Sequence, residues 1–211
     1  MLMSTITRLI LAAAGLALAA ATFGTTAAAG QTISRVFTKF DAKTCKHTPG
    51  QEVEDYGFWR CQGYGGIDVR LSAGDQRMHV SFGRNAAREP AAGETFPGFN
   101  NVYEGTIEWR IETLPNGKTR PVATILRWNV RQEGDENRRE STGRVLVVTR
   151  LGPGGVCHVG YVDARANAAS ANELAQQIAD QHARMFKCGQ DKPVILGKFN
   201  KDMMCISRDS I

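Results

Sequence analysis

Alternation of apolar and polar residues, the two-residue period of a half-buried strand, recurs along this chain between Phe58 and Val162. Phe58-Trp59-Arg60-Cys61 sets Trp59 and Cys61 on one side, and Ile67-Asp68-Val69-Arg70-Leu71 repeats the pattern. Met78-His79-Val80-Ser81-Phe82 follows after a Gly74-Asp75 turn. Ile107-Glu108-Trp109-Arg110-Ile111 alternates most cleanly, and Asn116-Gly117 just beyond it supplies the positive φ angles of a tight hairpin. The returning strand is predicted over 122–130, with Val122, Thr124, Leu126, Trp128 and Val130 on one face and Arg127, Asn129 and then Arg131 largely on the other. Val145-Leu146-Val147-Val148 is apolar on both faces, the mark of a central strand covered on both sides. Past the turn Gly152-Pro153-Gly154-Gly155, the stretch from Val156 to Val162 is predicted to face Cys157, Val159 and Tyr161 one way and His158 and Val162 the other.

The period then changes to that of a helix. Ser170-Ala-Asn-Glu173 reads as a capping box, and Leu174, Ala175, Ile178, His182, Met185 and Phe186 recur at three- and four-residue steps to form one apolar face. Such a helix would run to Cys188 and end on Gly189 as a left-handed cap. Pro193-Val-Ile-Leu-Gly197 could add an edge strand. The predicted fold class is α+β: a mainly antiparallel β-sheet of roughly six to eight strands with one C-terminal α-helix packed on one face. Two charged stretches read as solvent-facing: the mixed-sign run 131–144 as a loop, and Glu108, Arg110 and Glu112 as a solvated ladder on a polar strand face.

The first 29 residues follow another logic. One positive side chain, Arg8, precedes an unbroken Leu/Ile/Ala/Gly run from Leu9 to Ala21, and Ala27-Ala28-Ala29 fits small-x-small cleavage. This predicts a signal peptide over 1–29, cut after Ala29, with Ala19-Ala20-Ala21 as the alternative, and a single globular domain over 30–211. The run is shorter than the ~20 residues of a bilayer span, so no transmembrane segment is expected in the mature chain. The expected location is the periplasm or the exterior.

Export changes what the five cysteines mean, because disulfides become their default state. Cys45 and Cys61 are near in sequence and would close a polar loop. A strand from Cys157 travels about 20 Å and a returning helix about 27 Å, which brings Cys188 back towards Cys157. Cys205 is then left over, as a free or intermolecular thiol. Cys45-Lys46-His47 and Cys157-His158 are too sparse and irregular for zinc, so no metal site is expected.

Composition narrows the function classes. At 42% apolar, 22% charged and net charge +5 over 211 residues, the chain is neither disordered nor strongly cationic, and nucleic acid is not an expected partner. Gly-x-Ser-x-Gly, His-Glu-x-x-His, Walker and Gly-x-Gly-x-x-Gly patterns are all absent, so no catalytic residue and no cofactor is assigned. The acids Glu52, Glu54 and Asp55, together with His47, are the material for an alternative reading as a small cell-envelope hydrolase.

Two segments carry binding chemistry. Tyr56-Gly-Phe-Trp-Arg-Cys-Gln-Gly-Tyr-Gly-Gly66 mixes flat rings with Arg and Gln, as a saccharide or peptide groove does, and offers Tyr56, Arg60 and Tyr64. The long connection 83–105 offers Arg84, Asn85, Phe99 and Tyr103, and its aromatics suit a structured binding or capping loop.

The signal segment, Trp59-Arg60-Cys61-Gln-Gly-Tyr-Gly-Gly66, and the Cys157 strand followed by the helix of 172–180 resemble a group of uncharacterised exported proteins of Gram-negative bacteria. That resemblance implies no activity and transfers no site residue. The expected function is a non-catalytic periplasmic or secreted protein that binds an envelope polymer or a protein partner. Its alternatives are the envelope hydrolase and a structural or assembly protein linked through Cys205.

Overall fold

The computed structural model describes residues 32–51, 55–131 and 143–200. The predicted signal segment 1–29, Glu52, Glu54, the side chain of Asp55, most of the charged stretch 131–144 and Cys205 lie outside the described residues.

Among the described residues eleven strands and one α-helix follow in order: β1 (Ile33–Asp41), β2 (Lys46–Thr48), β3 (Asp55–Gln62), β4 (Asp68–Gly74), β5 (Arg77–Phe82), β6 (Phe99–Asn101), β7 (Glu104–Thr113), β8 (Thr119–Arg131), β9 (Gly143–Arg150), β10 (Cys157–Asp163), α1 (Ala171–His182) and β11 (Val194–Ile195). They form two sheets: a seven-stranded sheet in the order β1-β7-β8-β9-β10-β11, with β6 also paired to β8, and a four-stranded sheet β2-β3-β4-β5. Every pairing is antiparallel except β10 with β11. The α+β class therefore holds, with more strands than the alternation reveals and with two sheets where it suggests one.

Each face of the large sheet buries a separate core. Ile107, Trp109, Leu126, Trp128, Val145 and Val147 meet Val69, Leu71, Met78, Val80 and Phe82 of the small sheet. On the opposite face Ala123, Ile125, Leu146 and Val148 meet Ala175, Ile178 and Ala179 of α1. Residues 145–148 thus contribute alternately to both cores, as an all-apolar strand must. The β7–β8 hairpin turns where the sequence predicts it, with Gly117 at φ +76°.

Four local expectations are corrected. In β10 the ladder slips between His158 and Gly160. This bulge shifts the pleat, so Tyr161 joins His158 on the sheet-to-sheet face and Val162 joins Cys157 and Val159 under the helix. Gly160 is required there, since a Cβ would lie 2.3 Å from the Val194 carbonyl oxygen of β11. The helix stops at His182, six residues before Cys188; Met185 accordingly sits 80% exposed, and the positive φ of Gly189 serves a later turn. Ser170 is the N-cap, but its side chain makes no capping hydrogen bond.

The fourth correction concerns Glu108, Arg110 and Glu112, which are buried beneath α1 rather than solvated. Two residues of strand advance about 6.7 Å and four residues of helix about 6 Å, so a strand stripe at i, i+2, i+4 matches a helix stripe at i, i+4, i+8. Gln176 Nε2 donates to Glu108 Oε1 at 2.9 Å, Arg110 Nε donates to Asp180 Oδ1 at 2.9 Å, and Arg184 Nη1 donates to Glu112 Oε1 at 3.1 Å. Arg110 also donates to Glu108 at 2.8 Å, and Arg120 to Glu112 at 2.7 Å. Burial alone would raise the Glu112 carboxyl, but the hydrogen bonds and charges of Arg120 and Arg184 outweigh it and hold it below the usual carboxylate range.

Both predicted disulfides are present, Cys45–Cys61 and Cys157–Cys188. Such bonds persist in oxidising compartments, and they mark a protein that works outside the reducing cytosol. The second joins β10 to the segment after α1 across a separation of 31 residues. Replacing both of its cysteines by Ala is expected to cost about 3–4 kcal/mol. Hydrogen exchange should then accelerate first in α1; unchanged denaturation midpoints would contradict this clamp role.

Candidate functional site

A site forms where one end of the small sheet meets β6 and β8 of the large one. Phe99 pairs with Arg131, Asn100 with Val130 and Asn101 with Asn129. Alternation then sorts this ribbon: Asn100 and Val130 turn inward and are buried, while Phe99, Arg131, Asn101 and Asn129 share the outer face.

Asn100 pins this ribbon to the small sheet. Its Oδ1 accepts the Met78 N–H at 3.0 Å, and its Nδ2 donates to Thr95 Oγ1 at 3.0 Å and to the Gly98 carbonyl at 3.2 Å. Its own N–H donates to the Gln76 carbonyl at 3.2 Å. Gln76 and Asp75 form the tight β4–β5 turn, with φ of +56° and +47°, the left-handed conformation that a two-residue type I′ hairpin demands at both positions. Across from this turn, β3 carries Tyr56 beside Gly57, where φ is +89° and a Cβ would lie 2.1 Å from the Thr48 carbonyl oxygen.

These elements enclose a cavity of about 290 Å³ whose wall includes Tyr56, Gln76, Arg77, Phe99, Tyr103 and Arg131, together with the amides of Asn101 and Asn129. Tyr56 is 51% exposed and Tyr103 44%. Burial pushes the Tyr103 phenol up, and the nearby Tyr56 adds to that. Both guanidiniums lie against Phe99, Arg131 at 5.3 Å and Arg77 at 6.0 Å from the ring centre. Arg77 is already committed, donating through Nε to the Pro97 carbonyl at 2.9 Å and pairing with Asp75. Arg131 makes one contact of 3.5 Å with Gln76 Oε1 and no ion pair among the described residues.

A second cavity of about 520 Å³ adjoins the first, sharing Asn101, Tyr103 and Asn129 and adding Trp59, Asp41, Lys43 and Glu104. Trp59 meets the edge of Tyr103 at 5.8 Å and stacks on His47 at 4.5 Å.

Of the seven residues singled out in the sequence, Tyr56, Phe99 and Tyr103 come together here. Arg60 is elsewhere, exposed and paired with Asp68, which raises its pKa through their hydrogen bond. Tyr64 packs against Trp109 with ring centres 6.2 Å apart. Arg84 and Asn85 are exposed in the turn after β5. Gln76 and Arg77 were not anticipated, and the polar-face alternation of β8 is the signal that marks Asn129 and Arg131.

The loop 83–105 packs down, burying Ala86, Ala91, Phe96 and Val102. Its carboxylates bind backbone at the entry to β10: Glu89 Oε2 accepts the N–H of Val156, just before the strand, at 2.9 Å, and Glu94 Oε2 the His158 N–H at 2.5 Å.

His158 itself shares a hydrogen bond of 3.0 Å with the Tyr161 hydroxyl and meets Trp128 edge-on at 5.7 Å. Desolvation, with His79 adding to it, pushes its pKa down to about 3, so the ring is a neutral core group at pH 7. His47 is likewise occupied, its Nε2 donating to the Tyr56 carbonyl at 2.9 Å. Among the described residues no group of three or more His, Cys, Asp or Glu gathers as a metal site would require, and no helix is long and apolar enough to cross a membrane. Compared with protein-family models, curated proteins and solved structures, the chain finds no match.

Proposed function

We propose that this chain is an exported, non-catalytic protein that holds an envelope component in the groove formed by the two adjoining cavities. The observation that carries this reading is the groove wall itself: half-exposed rings, side-chain amides and guanidiniums converge from β3, β6 and β8 and the β4–β5 turn onto a preformed cavity of about 290 Å³. Rings give flat apolar contact at low entropic cost, and amides both donate and accept, the combination that recognises a polyhydroxylated or peptidic surface. The two disulfides and the N-terminal pattern of 1–29 support export, and placing the chain in the Gram-negative group rests on the sequence resemblance alone.

The test begins with cells expressing the full chain. Fractionation is expected to find the protein outside the cytoplasm with an N-terminus at Gly30. Binding to isolated envelope fractions is then expected to weaken about tenfold in Tyr103→Ala and to be unchanged in Arg84→Ala. Retention of the uncleaved chain in the cytoplasm, or steady hydrolysis of the bound fraction, would overturn the proposal.

A further inference from the structure

Resting on that reading of the groove, we propose that its ligand is an acidic saccharide chain, bound with a sugar carboxylate on Arg131 and an adjoining sugar residue against Trp59 and Tyr103. Among the described residues, the wall of the first cavity has two guanidiniums and no carboxylate side chain. Asp75, nearby, is taken by Arg77. Among the described residues Arg131 has a single long hydrogen-bond contact of 3.5 Å to Gln76, which leaves most of its N–H donors for a ligand, and Phe99 supports its plane at 5.3 Å. A guanidinium supported in this way presents a fork that matches the two oxygens of a carboxylate.

A bare anion would not need the rest of the wall. Asn129 Nδ2 donates to Asn101 Oδ1 at 3.2 Å, which orients both amides and turns the Asn101 NH₂ and the Asn129 carbonyl oxygen to other partners. One donor and one acceptor side by side suit neighbouring hydroxyls, each of which both donates and accepts. The half-exposed Tyr56 and Tyr103 offer flat faces for the C–H side of a sugar ring. The groove also continues past Tyr103 into the cavity at Trp59, so the ligand is a chain rather than a lone sugar acid, and Asp41 and Glu104, set against one Lys43, favour an uncharged sugar at that end.

The experiment titrates the oxidised protein, expressed from the full chain, with a panel of uronic-acid oligosaccharides, their carboxyl-reduced counterparts and inorganic phosphate, read by calorimetry. At least one acidic oligosaccharide is expected to bind, with its carboxyl-reduced form at least tenfold weaker and phosphate alone not binding. Arg131→Gln is expected to lose 10- to 100-fold for the acidic chain and little for the reduced one. Tyr103→Ala should weaken both, and Arg60→Gln neither. Equal affinity for acidic and reduced chains, or wild-type affinity in Arg131→Gln, would overturn the acidic ligand while leaving the groove intact. No binding to any saccharide, with envelope binding still sensitive to Tyr103→Ala, would also overturn it. Insensitivity of envelope binding to Tyr103→Ala would remove the groove reading as well, and phosphate competing at millimolar level would mark Arg131 as a simple anion site.

Discussion

Replacing Arg110 by Ala is expected to destabilise the protein by about 3–5 kcal/mol, the range for breaking a buried ion pair by removing one partner. Arg110 is buried between two carboxylates, Glu108 at 2.8 Å and Asp180 at 2.6 Å, on the interface between β7 and α1. Its removal leaves Glu108, itself buried, with Gln176 as the partner from α1, and a carboxylate in that position loses far more solvation than one amide restores. Urea denaturation at pH 7 measures the loss directly, and a melting temperature lower by roughly 10 °C is the thermal counterpart. The double variant Glu108→Gln with Arg110→Met removes both charges and is expected to recover much of the stability, because the desolvation penalty disappears with them. A loss below 1 kcal/mol in Arg110→Ala would show that water reaches this interface in solution.

Acidification is the second large effect. The unfolded chain carries His158 with an ordinary pKa near 6.5, whereas the folded state holds it at about 3. Between those values the unfolded state binds the extra proton, so the stability is fully present above pH 6.5 and is lost as pH falls towards 3, at about 1.4 kcal/mol per unit. At pH 4.5 the His158 contribution amounts to about 2–3 kcal/mol. The groups around it act in both directions. His79 of β5 is also lowered, by burial first and by Arg77 second, and adds to the acid loss. Glu94 is raised by burial, which its hydrogen bond from the His158 N–H only partly offsets, so it loses stability as pH rises instead. Burial and the nearby Glu94 raise Tyr161, which keeps that phenol protonated throughout the acid range. Denaturation midpoints at pH 7.5, 6, 5 and 4.5 should therefore fall steadily in the wild type and flatten by about one proton in His158→Gln. Parallel curves for the two proteins would mean that His158 is not the group responsible.

Legibility varied with the kind of interaction. The β7–β8 hairpin was readable because Asn116-Gly117 and the alternation on either side are local and mutually consistent. Cys45–Cys61 was readable from closeness in sequence, and Cys157–Cys188 from a strand followed by a returning helix, although that helix ends at His182, six residues short of Cys188. β2 and β6 were not, since three residues cannot display a period. β1 hides its alternation because Phe37, 54% exposed, interrupts the polar face. The candidate groove was half legible: Tyr56, Phe99 and Tyr103 stand out as aromatics among glycines and asparagines. That Arg77 and Arg131 flank Phe99 depends on β6 pairing with β8 while Asn100 ties it to β5, contacts 22 and more residues apart in sequence.

The same division runs through the whole molecule. Local covalent geometry and side-chain period settle which residues form the longer alternating strands and where the β7–β8 hairpin turns, because these depend on neighbours a few positions away. The burial of Glu108, Arg110 and Glu112 was decided only in three dimensions. A strand's polar face looks the same in sequence whether water or a helix covers it, and what distinguishes the two is Gln176, Asp180 and Arg184 arriving opposite at a matching spacing. So too with His158 and Tyr161, whose shared face is set by one bulge residue in a pairing that no single strand contains.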